Sequence, residues 1–204
     1  YHGAYAGDDA AGPAPGLPPI KSEEVTRGMA TVTQNPETER LEVELKPLWE
    51  MTTTPSRIAP GHGACPGCGF FPMLRQAYNV LEGNIVVLFQ TGCAMVTTTG
   101  YPKTAHRITY IHNLFQNGAA TLSGLVEMYH ERIRRGEIPA PPEGEDTTFI
   151  MVTGDGGMDI GMGAALGTAH RNHKMIILEY DNQGYMNTGS QLSYSTPFGH
   201  RTST

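Results

Sequence analysis

The chain beyond residue 60 alternates between short apolar runs and longer amphipathic stretches. Four apolar runs, rich in β-branched and aromatic residues, are typical of strands buried on both faces; they cover residues 84–90, 108–111, 148–152 and 175–180. Three intervening stretches predict helices: one with Phe70, Leu74, Tyr78 and Leu81 on one face, one with Leu122, Leu125, Tyr129 and Ile133 on one face and ending at Gly136, and one over residues 158–170. Strands that alternate with helices pair in parallel, so the pattern predicts an α/β fold with a doubly wound, mostly parallel sheet.

The first part of the chain lacks such a pattern. Residues 1–56 are acidic and rich in Ala, Gly and Pro, without a sustained period of 3.6 or 2.0. This composition predicts a tail or linker, followed by a folded domain over residues 57–204. Because the chain begins with Tyr1 and stops at Thr204 after a turn-rich stretch, we expect it to be part of a longer protein, truncated at the C-terminus.

Composition narrows the classes of function. Charged residues make up 17% of the chain, against about 25% for an average globular protein, which favours a surface partly buried against partners. The net charge of −6 leaves no basic surface for nucleic acid. Three cysteines are too few for a disulfide scaffold, and neither a signal peptide nor a membrane-spanning apolar run is present. We therefore expect a soluble cytoplasmic protein that binds neither nucleic acid nor membrane.

Polar, glycine-containing loops follow two consecutive predicted strands. The first consists of Gly154, Asp155, Gly156 and Gly157, and the second includes Asn182 and Gly184. Glycines let a backbone approach a ligand, and the helix that follows the first loop presents N–H groups to an anion. Asp155 would repel a phosphate unless it holds a divalent cation, and Asn182, 27 residues later (182 − 155), could reach the same ion. The alternative is two ordinary turns.

The three cysteines are a second candidate site. Cys65 and Cys68 form a C-x-x-C motif, and Cys93 follows 25 residues after Cys68. This spacing suits a metal ion, an iron–sulfur cluster or a redox disulfide. A zinc ion would take its fourth ligand from His62 or His112, whereas buried thiols without a ligand role are the remaining alternative. A 4Fe-4S cluster normally takes four cysteines, one more than this chain has.

Both candidate sites coincide with one family. The segments PGHGACPGCGF, TGC, GDGGMDIGMGAALG and YDNQGYMNTGSQLSYSTPFG resemble the thiamine-diphosphate-binding β subunit of 2-oxoacid:ferredoxin oxidoreductases, most closely the pyruvate branch, over about residues 57–200. The resemblance implies the thiamine-diphosphate-binding fold. It also implies that Asp155, the Asn182 side chain and the Gly184 carbonyl bind Mg²⁺, which anchors the diphosphate beside Gly154, Gly156 and Gly157. The family's usual second Asn is Gln183 here, outside these three ligand positions.

The resemblance also implies roles in redox chemistry. Cys65, Cys68 and Cys93 would bind a proximal 4Fe-4S cluster whose fourth cysteine lies far downstream, and Asn187 would lie beside the reacting end of thiamine. The implied reaction is the oxidative decarboxylation of pyruvate to acetyl-CoA, in which coenzyme A accepts the acyl group and ferredoxin or flavodoxin accepts the electrons.

Partners follow from the same resemblance. The family assembles this subunit with α, γ and ferredoxin-like δ subunits, so the chain alone is expected to be inactive. Three alternatives stay open: a subunit of a 2-oxoisovalerate or oxalate oxidoreductase, a non-redox thiamine-diphosphate lyase or ligase, and a zinc-stabilised interaction module without catalysis.

Overall fold

The chain divides into two compact units, Tyr1–Pro47 and Leu48–Thr204. The computed structural model describes residues 25–27, 30–35, 37–45, 47–53, 55–81, 83–100, 103–143 and 145–203. Residues 1–24 of the segment predicted as a tail lie outside the described residues. The boundary between the units lies nine residues before the one that composition indicates at residues 56 and 57.

The first unit contains an antiparallel three-stranded sheet. Its strands are β1 (Val25–Arg27), β2 (Ala30–Gln34) and β3 (Leu41–Leu45), in the order β1-β2-β3. The structure differs here from the sequence analysis, which placed no regular element in this segment. The sequence Leu-Glu-Val-Glu-Leu of β3 does alternate with period two, but five residues do not make a sustained pattern, and all five side chains are exposed.

The second unit contains a four-stranded parallel sheet with the order β5-β4-β6-β7. Its strands are β4 (Asn84–Gln90), β5 (Thr109–Asn113), β6 (Thr147–Gly154) and β7 (Ile176–Tyr180). All four predicted strands are confirmed, with ends that move by up to two residues. The chain leaves β4 in one direction and β6 in the other, so the sheet is doubly wound as predicted, and its switch point lies between these two strands.

The second unit contains five described helices, of which the first two precede β4 and the other three connect successive strands. They are α1 (Leu48–Thr53), α2 (Phe70–Val80), α3 (Cys93–Thr98), α4 (Gly118–Arg134) and α5 (Asp155–His170). The three predicted helices are confirmed as α2, α4 and α5, whereas the six-residue helices α1 and α3 were not predicted. No helix in the described part of the chain is long and apolar enough to cross a membrane.

The two faces of the parallel sheet pack into two separate apolar cores. Strand β4 contributes to both, because Val87 and Phe89 face the core that contains Leu74, whereas Leu88 faces the core that contains Leu122. Each of these side chains is completely buried. Burial on both faces explains the continuous apolar runs in the sequence.

A buried glutamine at the end of β4 sets how closely the helices approach the sheet. Gln90 is 1% exposed, and its Nε2 donates a hydrogen bond of 2.6 Å to the Phe115 carbonyl. Its side chain fills the space that side chains would need at two helical glycines. A Cβ at Gly118 would lie 2.8 Å from Gln90 Cδ, and one at Gly161 would lie 3.2 Å from Gln90 Nε2. The glycines therefore let α4 and α5 pack against this strand end.

We expect Gly118→Ala to lower the free energy of unfolding by about 1–3 kcal/mol, the usual effect of overpacking a tight core. The matched control is Gly124→Ala in the same helix, where an added Cβ meets nothing within 4 Å. That change should raise the free energy of unfolding by about 0.4–1 kcal/mol, because alanine restricts the unfolded chain. Urea titrations measure both, and equal effects of the two changes would contradict the role given to Gln90.

A second buried polar group is the imidazole of His106. Its ring stacks on Tyr110 with 4.8 Å between the ring centroids, and its Nε2 lies 3.1 Å from Thr98 Oγ1. Nδ1 has no hydrogen-bond partner among the described residues. Burial lowers the pKa of His106 from 6.5 to about 4, because the charged ring would lose its hydration.

The depressed pKa of His106 makes stability depend on pH. The unfolded chain binds a proton at His106 more readily than the folded chain does. The contribution of the neutral ring to the free energy of unfolding is therefore complete above pH 6.5 and is lost as the pH falls towards about 4. We expect His106→Gln to flatten the decline of the thermal midpoint over this range, and His170→Gln, at the exposed end of α5, to leave the decline unchanged. Calorimetric melts between these two pH values measure how the thermal midpoint changes with pH. The same change in His106→Gln as in the parent protein would refute the role of His106.

Candidate cofactor site

A cavity of about 240 Å³ lies at the carboxyl ends of β4, β6 and β7. This is the edge, beside the switch point, where open α/β sheets bind ligands. All seven residues predicted to hold the cofactor or to act beside it line the cavity: Gly154, Asp155, Gly156, Gly157, Asn182, Gly184 and Asn187. Cys93 also lines the cavity. The structure thus brings together two loops that the sequence separates by more than 20 residues.

Helix α5 begins in the cavity wall. Gly154 is extended, with φ −90° and ψ 173°, and no side chain caps the helix, so the first N–H groups and the helix dipole are available to an anion. Two glycines are needed in the first turn. A Cβ at Gly156 would lie 2.7 Å from the ring of Tyr185, and one at Gly157 would overlap Thr153 Oγ1.

Three oxygen-bearing groups meet beside this helix start. One atom of the Asn182 side-chain amide lies 2.9 Å from the Gly184 carbonyl oxygen and 3.1 Å from Asp155 Oδ1. If the amide nitrogen occupies that place, it donates two hydrogen bonds; if the oxygen does, three oxygens converge, as they do around a hard divalent cation. The three groups predicted as Mg²⁺ ligands are therefore close enough to share one ion.

Asp155 is a buried charge without a cationic partner in the described part of the chain. The residue is 3% exposed, and Oδ2 accepts hydrogen bonds from Ser193 Oγ at 2.6 Å and Ser195 Oγ at 3.1 Å. No lysine or arginine of the described residues forms an ion pair with it. Burying a carboxylate without an opposite charge is expensive, so this position favours a bound cation.

The surroundings of Asp155 are also acidic. Burial raises the pKa of Glu179, and the negative charges of Asp181, Asp155 and Asp159 raise it further. Asp159 in turn accepts hydrogen bonds from the Tyr194 amide at 3.0 Å and the Tyr185 hydroxyl at 3.3 Å. This negative field attracts a cation and would repel an unaccompanied phosphate.

Sequence reasoning missed three polar residues of this site, namely Asp159, Ser193 and Ser195. All three lie within the segments that carry the family resemblance, but no spacing rule connects the two serines with Asp155, which precedes them by 38 and 40 residues. Their contacts depend on the path of the loop after β7, which no local pattern predicts.

The cysteine loops lie in one region of the fold. Cys65 and Cys68 share one exposed turn, in which the Cys68 N–H donates to the Cys65 carbonyl at 3.1 Å, whereas Cys93 begins α3. The Gly63 N–H, just before this turn, donates to the Thr97 carbonyl of α3 at 2.9 Å. Among the described residues, however, no three His, Cys, Asp or Glu side chains form a group that could hold a metal ion.

Tyr180 links these loops to the cavity. Its hydroxyl accepts a hydrogen bond of 3.1 Å from the Ala94 N–H in α3, and its ring lies 4.7 Å from that of Phe70, centroid to centroid. Burial raises the pKa of Tyr180 above its usual value, against the lowering effect of the Ala94 N–H, and Tyr180 lines the cavity together with Cys93. The neighbourhood of the predicted cluster thus borders the cavity.

The two histidines considered as zinc ligands have other contacts. The His62 ring stacks on Phe71 with 3.7 Å between centroids, and His112 Nε2 lies 3.0 Å from Thr91 Oγ1. Within the residues that the structure describes, neither the zinc alternative nor the predicted cluster has an assembled group of ligands. Asn187 is exposed at the rim of the cavity, and its role beside the reacting end of a cofactor stays a prediction.

This chain is similar in sequence to several known proteins. The family model "Thiamine pyrophosphate enzyme, C-terminal TPP binding domain" matches residues 90–204, which include every cavity-lining loop. Similar proteins include the pyruvate synthase subunits PorB of Methanothermobacter thermautotrophicus, 43% identical over 72% of this chain and 48% of the relative, and of Thermotoga maritima, 43% identical over 72% and 46%. The beta subunit of NADH-dependent phenylglyoxylate dehydrogenase from Aromatoleum evansii is 33% identical over 72% of this chain and 31% of the relative.

The chain spans about half the length of the PorB relatives that it matches. The predicted family resemblance is confirmed by these matches, and so is the α/β fold with its parallel sheet. The match covers more than half of the chain and contains the glycine loop, Asp155 and the loop after β7. The chain therefore belongs to the thiamine pyrophosphate enzymes, as a member of the family defined by their C-terminal cofactor-binding domain.

Proposed function

We propose that this chain is the thiamine-diphosphate-binding part of a 2-oxoacid:ferredoxin oxidoreductase β subunit of the pyruvate synthase type. The observation that carries the proposal is the buried Asp155 carboxylate, which lies with the Asn182 amide and the Gly184 carbonyl at the start of α5. This donor set suits Mg²⁺, and the uncapped helix start beside it suits a diphosphate. The PorB relatives carry the name of an enzyme of this class.

Different residues of the chain are proposed to bind the cation and the diphosphate. Asp155, Asn182 and the Gly184 carbonyl hold the cation, while Gly154, Gly156 and Gly157 let the backbone approach the phosphate oxygens. Thiamine diphosphate, when bound, supplies the electron sink for decarboxylation of a 2-oxoacid. We place Asn187, at the cavity rim, beside the reacting end of the cofactor.

The three cysteines extend the proposal to redox chemistry. We propose that Cys65, Cys68 and Cys93 would hold a 4Fe-4S cluster, which would supply a route for single electrons towards ferredoxin or flavodoxin. The support is the hydrogen bond between the loop before the C-x-x-C turn and α3 and the position of Cys93 in the lining of the cavity. A cytoplasmic location fits this assignment, because thiols stay reduced there.

The cavity is smaller than a complete cofactor site. Its volume of about 240 Å³ falls below the roughly 300–1,000 Å³ of typical ligand pockets, and the chain spans about half of its relatives. We therefore propose that an α subunit and other domains complete the sites for the 2-oxoacid and coenzyme A, and that γ and ferredoxin-like δ subunits belong to the same assembly, with the distal clusters on δ. On this proposal, the chain by itself does not turn over.

Pyruvate is the proposed substrate, with acetyl-CoA as the product. An aromatic 2-oxoacid is the second candidate, because a relative at 33% identity is named as a phenylglyoxylate dehydrogenase subunit. Turnover of the complete enzyme with pyruvate and with phenylglyoxylate, under anaerobic conditions with coenzyme A and a ferredoxin, distinguishes the two. A preference of tenfold or more in kcat/KM for either acid decides between them.

We expect Asp155→Asn and Asn182→Ala to weaken the binding of thiamine diphosphate at least tenfold at fixed Mg²⁺, because each removes a ligand of the cation that screens the diphosphate. Calorimetry on the complete enzyme measures the dissociation constant. Asp146→Asn is the matched control, since this carboxylate pairs with Lys174 and does not line the cavity. Unchanged affinity in both site variants would refute the proposed cation site.

We expect Cys68→Ser to remove most of the about four iron atoms of one 4Fe-4S cluster, while thiamine diphosphate still binds with near-normal affinity. The control is Pro66→Ala in the same turn, which leaves every thiol in place. Iron and zinc analysis of the anaerobically purified complex, with electron paramagnetic resonance after reduction, gives the result. Zinc in place of iron, or an iron content unaffected by Cys68→Ser, would overturn the cluster assignment.

A further inference from the structure

We propose that Ser193 and Ser195 are positioning residues for the cation site, a role that rests on the proposed function. Both lie in the loop after β7, which also carries Asn182 and Gly184. Their hydroxyls hold Oδ2 of Asp155, so that the other oxygen, Oδ1, faces Asn182. The serines therefore orient the carboxylate towards the ion without touching it themselves.

Ser193 makes the stronger of the two contacts. Its side chain is buried, at 4% exposure, and its Oγ donates to Asp155 Oδ2 at 2.6 Å. This distance falls in the range of about 2.5–2.7 Å that hydroxyls adopt with a carboxylate. The backbone of Ser193 is held as well, because its N–H donates to Thr196 Oγ1 at 2.9 Å, and Thr196 Oγ1 donates to the Gln183 carbonyl at 2.8 Å.

Ser195 joins two carboxylates. Its Oγ lies 3.1 Å from Asp155 Oδ2 and 2.7 Å from Asp181 Oδ1. A hydroxyl has one proton to donate, so Ser195 donates to one of these two carboxylates at a time, and each can be its acceptor. Asp181 Oδ1 also accepts the N–H of Gln183 at 2.8 Å. Ser195 therefore links Asp155 at the start of α5 with the loop that carries Asn182, whereas Ser193 fixes the direction of the carboxylate.

The orientation matters because the terminal torsion of an aspartate is intrinsically soft. Without external partners, the Asp155 carboxylate samples rotations that turn Oδ1 away from Asn182 and Gly184. Hydrogen bonds to the second oxygen of a ligating carboxylate typically change metal affinity by about 10–100-fold. We therefore expect the two serines to determine how much Mg²⁺ the enzyme needs, while the ligands themselves stay unchanged.

The test uses the complete enzyme, with all its subunits, after thiamine diphosphate and Mg²⁺ have been removed. It measures the Mg²⁺ concentration at which the binding of added thiamine diphosphate is half-maximal. Ser193→Ala should raise this concentration about 10–100-fold, Ser195→Ala should raise it less, and Ser193→Thr, which keeps the hydroxyl, should recover most of the parent value. At saturating Mg²⁺, thiamine diphosphate should bind Ser193→Ala nearly as tightly as the parent. The thermal midpoint is recorded for every variant.

Ser123→Ala is the matched control. Ser123 is equally buried, at 5% exposure, and its Oγ donates to a carbonyl, that of Ala120 at 3.0 Å, within α4. The Ser123→Ala variant should have the same Mg²⁺ requirement as the parent enzyme, even if its thermal midpoint changes. If Ser193→Ala does not fold, the partly exposed Ser195 carries the test through Ser195→Ala.

The outcomes separate this proposal from the one on which it rests. If the parent enzyme does not bind thiamine diphosphate in a Mg²⁺-dependent way, the proposed function fails, and the positioning role fails with it. If the parent binds normally but Ser193→Ala and Ser195→Ala keep the parent's Mg²⁺ requirement, only the positioning role is overturned. A lower thermal midpoint with an unchanged Mg²⁺ requirement would assign the serines to stability alone.

Discussion

The buried negative charge of Asp155 is the constraint on which the rest of the site depends. The residue is 3% exposed at the junction between β6 and α5, where desolvation would be prohibitive without compensation. The start of α5 offers part of it, because the free N–H groups of a helix end favour a negative charge. Ser193 and Ser195 compensate further for the lost hydration, because their hydroxyls donate hydrogen bonds to Oδ2 of Asp155. What remains is Oδ1, which faces the Asn182 amide beside the Gly184 carbonyl, the groups proposed to share a cation with it.

This arrangement requires α5 to start very close to the sheet. Glycines cost helix stability, about 1 kcal/mol each relative to alanine, yet α5 contains five of them and is a regular helix of 16 residues. Packing explains the exception. Gln90 lies against Gly161, and Thr153 occupies the space beside Gly157, so larger residues would push the helix start away from the strand end. The low helix propensity of these glycines is therefore offset by the close packing of α5 against the end of the sheet.

The sequence predicts those parts of the site that follow from periodic strands and helices, but not those that depend on the path of an irregular loop. Parallel strands end at one edge of a sheet, so apolar runs followed by polar loops were enough to bring Asp155, Asn182 and Gly184 to one cavity. The serine contacts with Asp155 span 38 and 40 residues and follow from the path of an irregular loop, which has no periodic signal. Helix α3 is only six residues long, too short for an amphipathic pattern, and β3 exposes all five of its side chains.

Electrostatics also constrains the order in which the site can fill. Burial raises the pKa of Glu179, and the nearby charges of Asp181, Asp155 and Asp159 raise it further, so several carboxylates are close together at the cavity edge. The dipole of α5 is equivalent to roughly half a positive charge at the helix start, too little to hold a diphosphate against three aspartates. A divalent cation held by Asp155, Asn182 and the Gly184 carbonyl would reverse this balance, since it would carry a larger positive charge than the helix start. On the proposed function, anion binding at this helix start would therefore depend on the metal, and residues that orient Asp155 would act on the cofactor through that ion.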